Sequence, residues 1–313
     1  MELRHLRYFV AVAEERHFGR AAARLHMAQP PLSQQIRQLE AELGVSLLTR
    51  STRKVELTPA GVVFLDRARA IVESFRTAAL DAARAADGEV GHLAVGFTGS
   101  ATYELLPAVA RAMASTLPDV TLEVRGELLT AQQVAGLEDG TLDVAFLRPP
   151  VRSATLEVAV FRTEPLVVAL PEGHPLALHD SVAITALTEE AFVSFPDKNR
   201  SVVHDAALDA CRRAGFAPHV VQEVAETSTL VAAVAGGVGV ALVPASARYL
   251  RVAGACYRPL TGTEAGVELA VAHRRADDGP VLRRFLALLP MVLDAHRSFV
   301  SPTSQSGPEP IFP

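Results

Sequence analysis

Residues 17–57, HFGRAAARLHMAQPPLSQQIRQLEAELGVSLLTRSTRKVEL, constrain this chain more tightly than any other stretch. A short helix is predicted from Arg20 to Leu25, where Ala21 and Ala22 are small enough for close packing, and His26-Met27-Ala28 makes a turn. A second helix begins at Gln29-Pro30, because proline in a first turn removes an N–H that has no intrahelical partner. Its apolar stripe is Leu32, Ile36, Leu39 and Leu43, at helical spacing, and Gly44 closes it. Residues 47–57 then read as a hairpin with a basic tip, Arg50-Ser51-Thr52-Arg53-Lys54. Helix, tight turn, helix and basic hairpin compose a winged helix-turn-helix, which lays its second helix in the DNA major groove.

The remaining residues must form something else. A chain of 313 residues supports two or three domains. Its net charge of -5 means that any DNA contact depends on charge gathered locally. The N-terminal segment gathers it in Arg4, Arg7, Arg16, Arg20, Arg24, Arg37, Arg50, Arg53 and Lys54. Cys211 and Cys256 are too few and too far apart for a disulfide scaffold, and read as small hydrophobes in a reducing compartment. No charged leader with an apolar h-region opens the chain and no long apolar run follows, so a cytoplasmic protein with no membrane partner is expected.

Leu6, Phe9, Val10 and Ala13 mark a first helix over residues 3–15. Thr58-Pro59 opens a long helix to about Ala86, an N-cap hydroxyl followed by N1 proline. Phe64, Ala68, Ile71, Phe75, Ala78, Ala82 and Ala85 form one narrow apolar seam along it, the pattern of a two-helix coiled coil. This is the expected homodimerisation and linker helix, an ordinary surface helix being the alternative. Beyond Asp87-Gly88-Glu89, strands and helices alternate as βαβαβ to Leu147, which predicts a parallel sheet covered by helices. Strands at 156–161 and 166–170 flank a crossover at 162–165 into a second α/β subdomain. A strand at 267–273 returns, and a helix at 281–299 closes the fold. The expected domains are therefore a winged helix-turn-helix at 1–58, a linker helix at 59–88 and an effector domain at 89–300. That domain has two lobes like a periplasmic binding protein: lobe I at about 89–162 and 266–300, and lobe II at about 163–265. A disordered tail follows at 301–313.

This arrangement resembles the LysR-type transcriptional regulators from Met1 to about Phe299. The resemblance is carried by Arg7-Tyr8-Phe9-Val10-Ala11-Val12-Ala13-Glu14, Ala21-Ala22-Ala23-Arg24-Leu25-His26, Gln29-Pro30-Pro31-Leu32-Ser33, Leu39-Glu40-Ala41-Glu42-Leu43-Gly44, Leu48-Thr49-Arg50 and Leu57-Thr58-Pro59-Ala60-Gly61. It implies a regulator of double-stranded operator DNA, answering to a small effector and assembled as a homotetramer from dimers. In the family a serine often stands where Ala28 does, so a cap worth about 1 kcal/mol is missing. Chemically, the amides of Gln29 and Gln34 suit adenine edges, and Arg37 suits guanine or phosphate. Pro30 and Pro31 suit a thymine methyl, Ser33 a phosphate, and Arg50 and Arg53 the backbone or minor groove. For each residue alone a solvated helix face is the plain alternative.

In the sensor half, helix N-termini follow strands at Ser100-Ala101-Thr102, Thr130, Ser201 and Thr227-Ser228. First-turn N–H groups and hydroxyls at the carboxyl ends of strands favour an anion. Arg148 adds a full charge, so a carboxylate site between the lobes is expected. Gly96-Phe97-Thr98-Gly99-Ser100 and Leu242-Val243-Pro244-Ala245-Ser246 are similar to the branch controlling aromatic-compound catabolism, which implies an aromatic or muconate-like acid. Position by position, that resemblance implies contacts from Ser100, Thr130, Arg148 and the turn Ser201-Val202-Val203. Gly236-Gly237-Val238-Gly239 follows a helix and precedes a strand, the reverse of a dinucleotide loop. No histidine spacing suits a metal and no catalytic set is apparent, so neither cofactor nor enzyme activity is expected. A solute-binding protein or an α/β enzyme with an incidental helical domain is the rival.

Overall fold

The computed structural model describes residues 1–50, 55–196 and 201–297, and the chain divides into two units, Met1–Ala85 and Ala86–Pro313. The first unit runs α1 (Leu3–Glu15), α2 (Phe18–Arg24), α3 (Gln29–Leu43), β1 (Leu48–Arg50), β2 (Val55–Leu57) and α4 (Pro59–Ala86). Helix α2 starts two residues before its expected position because His17 caps it, its Nδ1 accepting from the amides of Gly19 and Arg20. Ala28 gives α3 no side-chain cap, and Gly44 ends it in the left-handed conformation at φ 70°. Phe9, Val12, Ala21, Leu32, Ile36, Leu39, Leu47 and Ala68 form the core.

The base of the β1–β2 hairpin, which pairs Leu48 with Leu57, is held from two sides. Glu40 on α3 accepts from the amides of Leu47 and Leu48 at 2.9 and 3.0 Å. Thr58, capping α4, accepts from the Gly61 amide at 2.9 Å and donates to the Ser46 carbonyl at 2.8 Å. Within α4, Leu65 and Ala68 are buried and Phe64 meets the Phe9 ring at 5.3 Å. Further along, Ile71 and Phe75 are 48% and 61% exposed.

The second unit runs β3 (Gly91–Phe97), α5 (Gly99–Thr116), β4 (Val120–Arg125), α6 (Thr130–Glu138), β5 (Val144–Leu147), β6 (Leu156–Pro171), β7 (Val182–Ala183), β8 (Ala191–Ser194), α7 (Val202–Arg213), β9 (His219–Glu223), α8 (Thr227–Ala235), β10 (Ala241–Pro244), β11 (Ala255–Thr261), β12 (Gly266–Arg274) and α9 (Pro280–Arg297). Among the described residues one sheet has the order β4-β3-β5-β12-β6-β11-β7, with β10 also on β6. Strands β4, β3 and β5 are parallel, as βαβαβ requires, whereas β12, β10 and β11 join antiparallel. The sheet is mixed rather than wholly parallel.

Residues 162–165 do not separate two strands: they continue a single sixteen-residue strand, β6, and the crossover into the second lobe runs within it. The reason is β12, which pairs with these residues as well as with those before them. The first part of β6 thus belongs to the sheet of lobe I, and its end pairs with β10 and β11 in lobe II. Phe97, Leu105, Phe146, Phe285 and Leu289 centre the first lobe's core. Val168, Phe192 and Leu242 centre one cluster in the second lobe, and Val193, Val231 and Val243 another. Gly236 ends α8, so the glycine cluster is a helix stop. Of the expected disordered tail, residues 301–313 lie outside the described residues. No described helix is long and apolar enough to cross a membrane.

Candidate functional site

On α3 the apolar stripe is buried through Leu39, with Leu43 half-buried at its end, and the opposite side faces solvent. Leu32, Ile36 and Leu39 are 0% exposed. Gln29, Pro30, Pro31, Gln34 and Arg37 are all exposed, and Ser33 is half-buried at the margin. Positions 30, 34 and 37 lie one above another at helical spacing, so these groups share one face. The backbone of Arg50 lies in β1; Arg53 lies outside the described residues. The positive charge of this unit is narrower than its arginine count implies. Arg24 and Arg69 hold Glu14 at 2.8 and 2.9 Å, and Arg20 holds Glu15 at 3.4 Å. Partial burial alone would raise the Glu14 carboxyl, yet the hydrogen bonds from Arg69 and Arg24 keep it below the usual carboxylate range. Arg37 has no acidic partner among the described residues.

In the second unit a narrow cleft, with a cavity volume of about 30 Å³, separates the lobes. Gly99, Ser100, Leu128, Leu129 and Arg148 line it from lobe I, and Phe195, Ser201, Val203, Thr227 and Pro244 from lobe II. Of the residues expected to form a site, Ser100, Arg148, Ser201, Val203 and Thr227 are therefore brought together. Thr102, Thr130 and Val202 are not among the lining residues. Thr102 donates to the Thr98 carbonyl at 3.3 Å, within its own helix. Thr130 donates to the Arg148 carbonyl at 2.8 Å and accepts from its amide at 3.3 Å, so it fixes the arginine backbone. Ser201 caps α7 through the His204 amide. No side chain caps α5, whose first turn opens on the cleft at Gly99 and Ser100.

Arg148 corrects the expectation of a free cation. It is 2% exposed, and its Nη2 donates to Glu164 at 2.7 Å and to Ser100 Oγ at 3.1 Å. Its Nη1 donates to the Glu268 carbonyl at 3.2 Å. Glu164, also 2% exposed, is shared with Arg162, which in turn holds Glu104. Two guanidiniums and two carboxylates thus form a neutral chain, buried except at the half-buried Arg162 and joined to lobe II at Ser246, whose Oγ donates to Glu164 at 2.9 Å and lies 2.8 Å from Ser100 Oγ. Burial pushes the Glu164 carboxyl up, but the charges of Arg148 and Arg162 outweigh it and hold the group below its ordinary range. The sequence offered no sign of this chain, because its members lie on α5, just past β5, on β6 and in the turn after β10.

A second acid crosses the cleft. Glu127, in the left-handed region at φ 57°, accepts from the Thr227 amide at 2.8 Å and the Ser228 amide at 3.2 Å, the first turn of α8. Its other donor is the Tyr103 hydroxyl at 2.5 Å. Burial and the adjacent Glu127 carboxylate push that phenol up to about 12, so it stays protonated and donates. The lobes meet closely here: a Cβ on Gly99 would stand 2.2 Å from Thr227 Oγ1. Glu127 escapes a sequence reading because its partner lies a hundred residues away. Cys211 is buried, which raises its thiol to about 11 and leaves it a poor nucleophile.

Comparisons with known proteins agree over nearly the whole chain. Residues 3–62 match the model described as "Bacterial regulatory helix-turn-helix protein, lysR family", and residues 86–293 match "LysR substrate binding domain". The HTH-type transcriptional regulator AlsR of Bacillus subtilis (strain 168) is 40% identical over 286 residues, 91% of this chain and 94% of the relative. The crystal structure of CbnR, a LysR family transcriptional regulator, superposes with a TM-score of 0.81 at 33% identity, covering 92% of this chain and 99% of that one. Full-length CbnR complexed with its target DNA gives 0.80 at 32% identity, covering 93% and 99%.

Proposed function

The chain belongs to the LysR family, a DNA-binding transcriptional regulator with an effector-binding domain and not an enzyme, and on that premise we propose that it senses a small organic acid in the cleft between its lobes. The observation that carries this reading is the uncapped first turn of α5, facing Ser201 across an apolar passage. The acid's carboxylate takes the amides of α5 with the hydroxyls of Ser100 and Ser201. Leu128, Leu129, Phe195 and Val203 receive its hydrocarbon body, which suits an aromatic or muconate-like skeleton. Arg148 acts through Ser100 rather than as a bare charge, while Thr102, Thr130 and Val202 support the walls. Titration calorimetry of the full chain with benzoate, salicylate and cis,cis-muconate tests the assignment. Heat from one is expected, and silence from all three removes it.

At the other end, the exposed face of α3 reads operator bases through Gln29, Gln34 and Arg37, with Pro30 and Pro31 against thymine methyls and Ser33 on phosphate. Arg50 and Arg53 follow the backbone. Arg37→Ala is expected to weaken binding to the chain's own promoter about 10- to 100-fold, the cost of one bidentate base contact. Fluorescence anisotropy at fixed salt measures it; unchanged affinity with an unchanged melting profile would reassign the residue to solvent.

Homodimers form along α4 and pair into a homotetramer, so two reading helices reach two half-sites. The support is Ile71 and Phe75, exposed on the apolar seam. Phe75→Glu is expected to shift the sedimenting species to a smaller one and to cut DNA affinity at least tenfold, since each reader then binds alone. An unaltered sedimentation coefficient would place the dimer contact elsewhere.

A further inference from the structure

We propose that Glu127 is a clasp that holds the cleft shut before an effector arrives. The inference rests on the reading of this cleft as the effector site. The carboxylate is carried by lobe I, but the amides it satisfies open a helix of lobe II. A negative charge at a helix N-terminus is favourable, and these first-turn N–H groups have no partner within their helix. Tyr103 holds the carboxylate in place from the same lobe at 2.5 Å. The contact between Gly99 and the Thr227 side chain leaves no room for a ligand at this edge while the clasp is engaged. The cleft is correspondingly tight, with a cavity volume of about 30 Å³ against the several hundred to a thousand of ordinary small-molecule sites. An incoming acid must therefore bind a state in which Glu127 has let go, and the clasp taxes its affinity by the fraction of molecules that are open.

Ser246 and Glu164 tie the lobes at the crossing strand, so losing Glu127 frees the mouth of the cleft without separating the lobes. A purely structural residue at this place would behave differently: its loss would weaken ligand binding together with stability.

Hydrogen–deuterium exchange on the full-length protein without any ligand tests the clasp directly. In Glu127→Ala the amides of Thr227 and Ser228 are expected to exchange about tenfold or more faster, having lost a charged acceptor. Val271 in the sheet core should keep its rate. Glu127→Gln, which keeps the shape and one acceptor, should fall between and serves if the alanine variant does not fold. Benzoate titration gives the second measure, with affinity expected to rise about threefold or more in Glu127→Ala. Wild-type exchange at Thr227 and Ser228, or acceleration spread equally to Val271, overturns the clasp. So does weaker benzoate binding by a variant of unchanged melting temperature. If benzoate gives no heat with either protein, the organic-acid reading loses its support while the exchange rates still decide the clasp.

Discussion

Replacing Glu164 with glutamine is expected to lower the melting temperature of the second unit by roughly 10 °C, the effect of about 3–5 kcal/mol on a domain this large. The cost is not the loss of one ion pair. In the native chain Arg148 and Arg162 are matched by Glu164 and Glu104, so four charges, all buried but the half-buried Arg162, cancel. Glutamine leaves one cation over, and Arg148, whose partners are then all neutral (an amide oxygen, the Ser100 hydroxyl and the Glu268 carbonyl), must bear it out of water. Adding Arg148→Met restores the balance, because Arg162 and Glu104 remain a pair. The double variant is therefore expected to recover at least half the loss, and one less stable than Glu164→Gln would refute the balance argument. Acidity gives an independent check. The folded-state value of Glu164 lies below its unfolded one, so its contribution is complete above the ordinary carboxylate range near 4.3 and fades as pH falls through the folded value. The gap between wild type and variant should be widest at neutral pH and narrow on acidification; differential scanning calorimetry across that interval reads it.

Gly61→Ala should be as damaging in the first unit. An added methyl would stand 2.0 Å from the Leu47 carbonyl oxygen and 3.0 Å from the Leu57 side chain. The Leu47 backbone cannot retreat, since its amide is held by Glu40 and its carbonyl accepts from the Thr58 amide at 3.0 Å. Either α4 or the hairpin must shift, at about 3 kcal/mol, which for a unit of this size is a fall on the order of 15 °C in its transition. DNA binding should be lost with it. Gly44→Ala is the control. It sits in open space at φ 70°, so it suffers only the left-handed backbone penalty of about 1 kcal/mol. Equal losses from the two substitutions would mean that packing at the hairpin base is not what Gly61 protects.

What could be foreseen from residues alone follows the range of the forces involved. Local signals served well: Pro30, Gly44 and Thr58-Pro59 mark helix ends by chemistry confined to one turn, and the stripe Leu32, Ile36, Leu39 is the α3 core face. The crossing at residues 162–165 is legible in sequence, but the continuity of β6 through it is not, because Pro165 suggests a break that only the pairing with β12 overrules. Strand β11 went unrecognised for a similar reason: Pro259 interrupts its pattern, while its partners on β6 lie far off in sequence. The cleft was half visible. Ser100, Ser201 and Thr227 advertise themselves as helix-start residues, but the partners of Arg148 and Glu127 come from remote segments, and no spacing rule relates them.

The ladder between β6 and β12 shifts register between Leu269 and Ala270, leaving Phe161 as an extra residue just before Arg162. Such a bulge twists and bends a strand locally without breaking the pairing on either side. It lies in the one strand common to both lobes and next to the arginine that closes the charge chain. The bulge stands on the lobe I side of the crossing, since β12 pairs with β6 as far as Pro165 before β10 takes over at Leu166. Its extra twist sets the direction from which Arg162 meets Glu104 and Glu164, so the alignment of these ions depends on a single inserted residue.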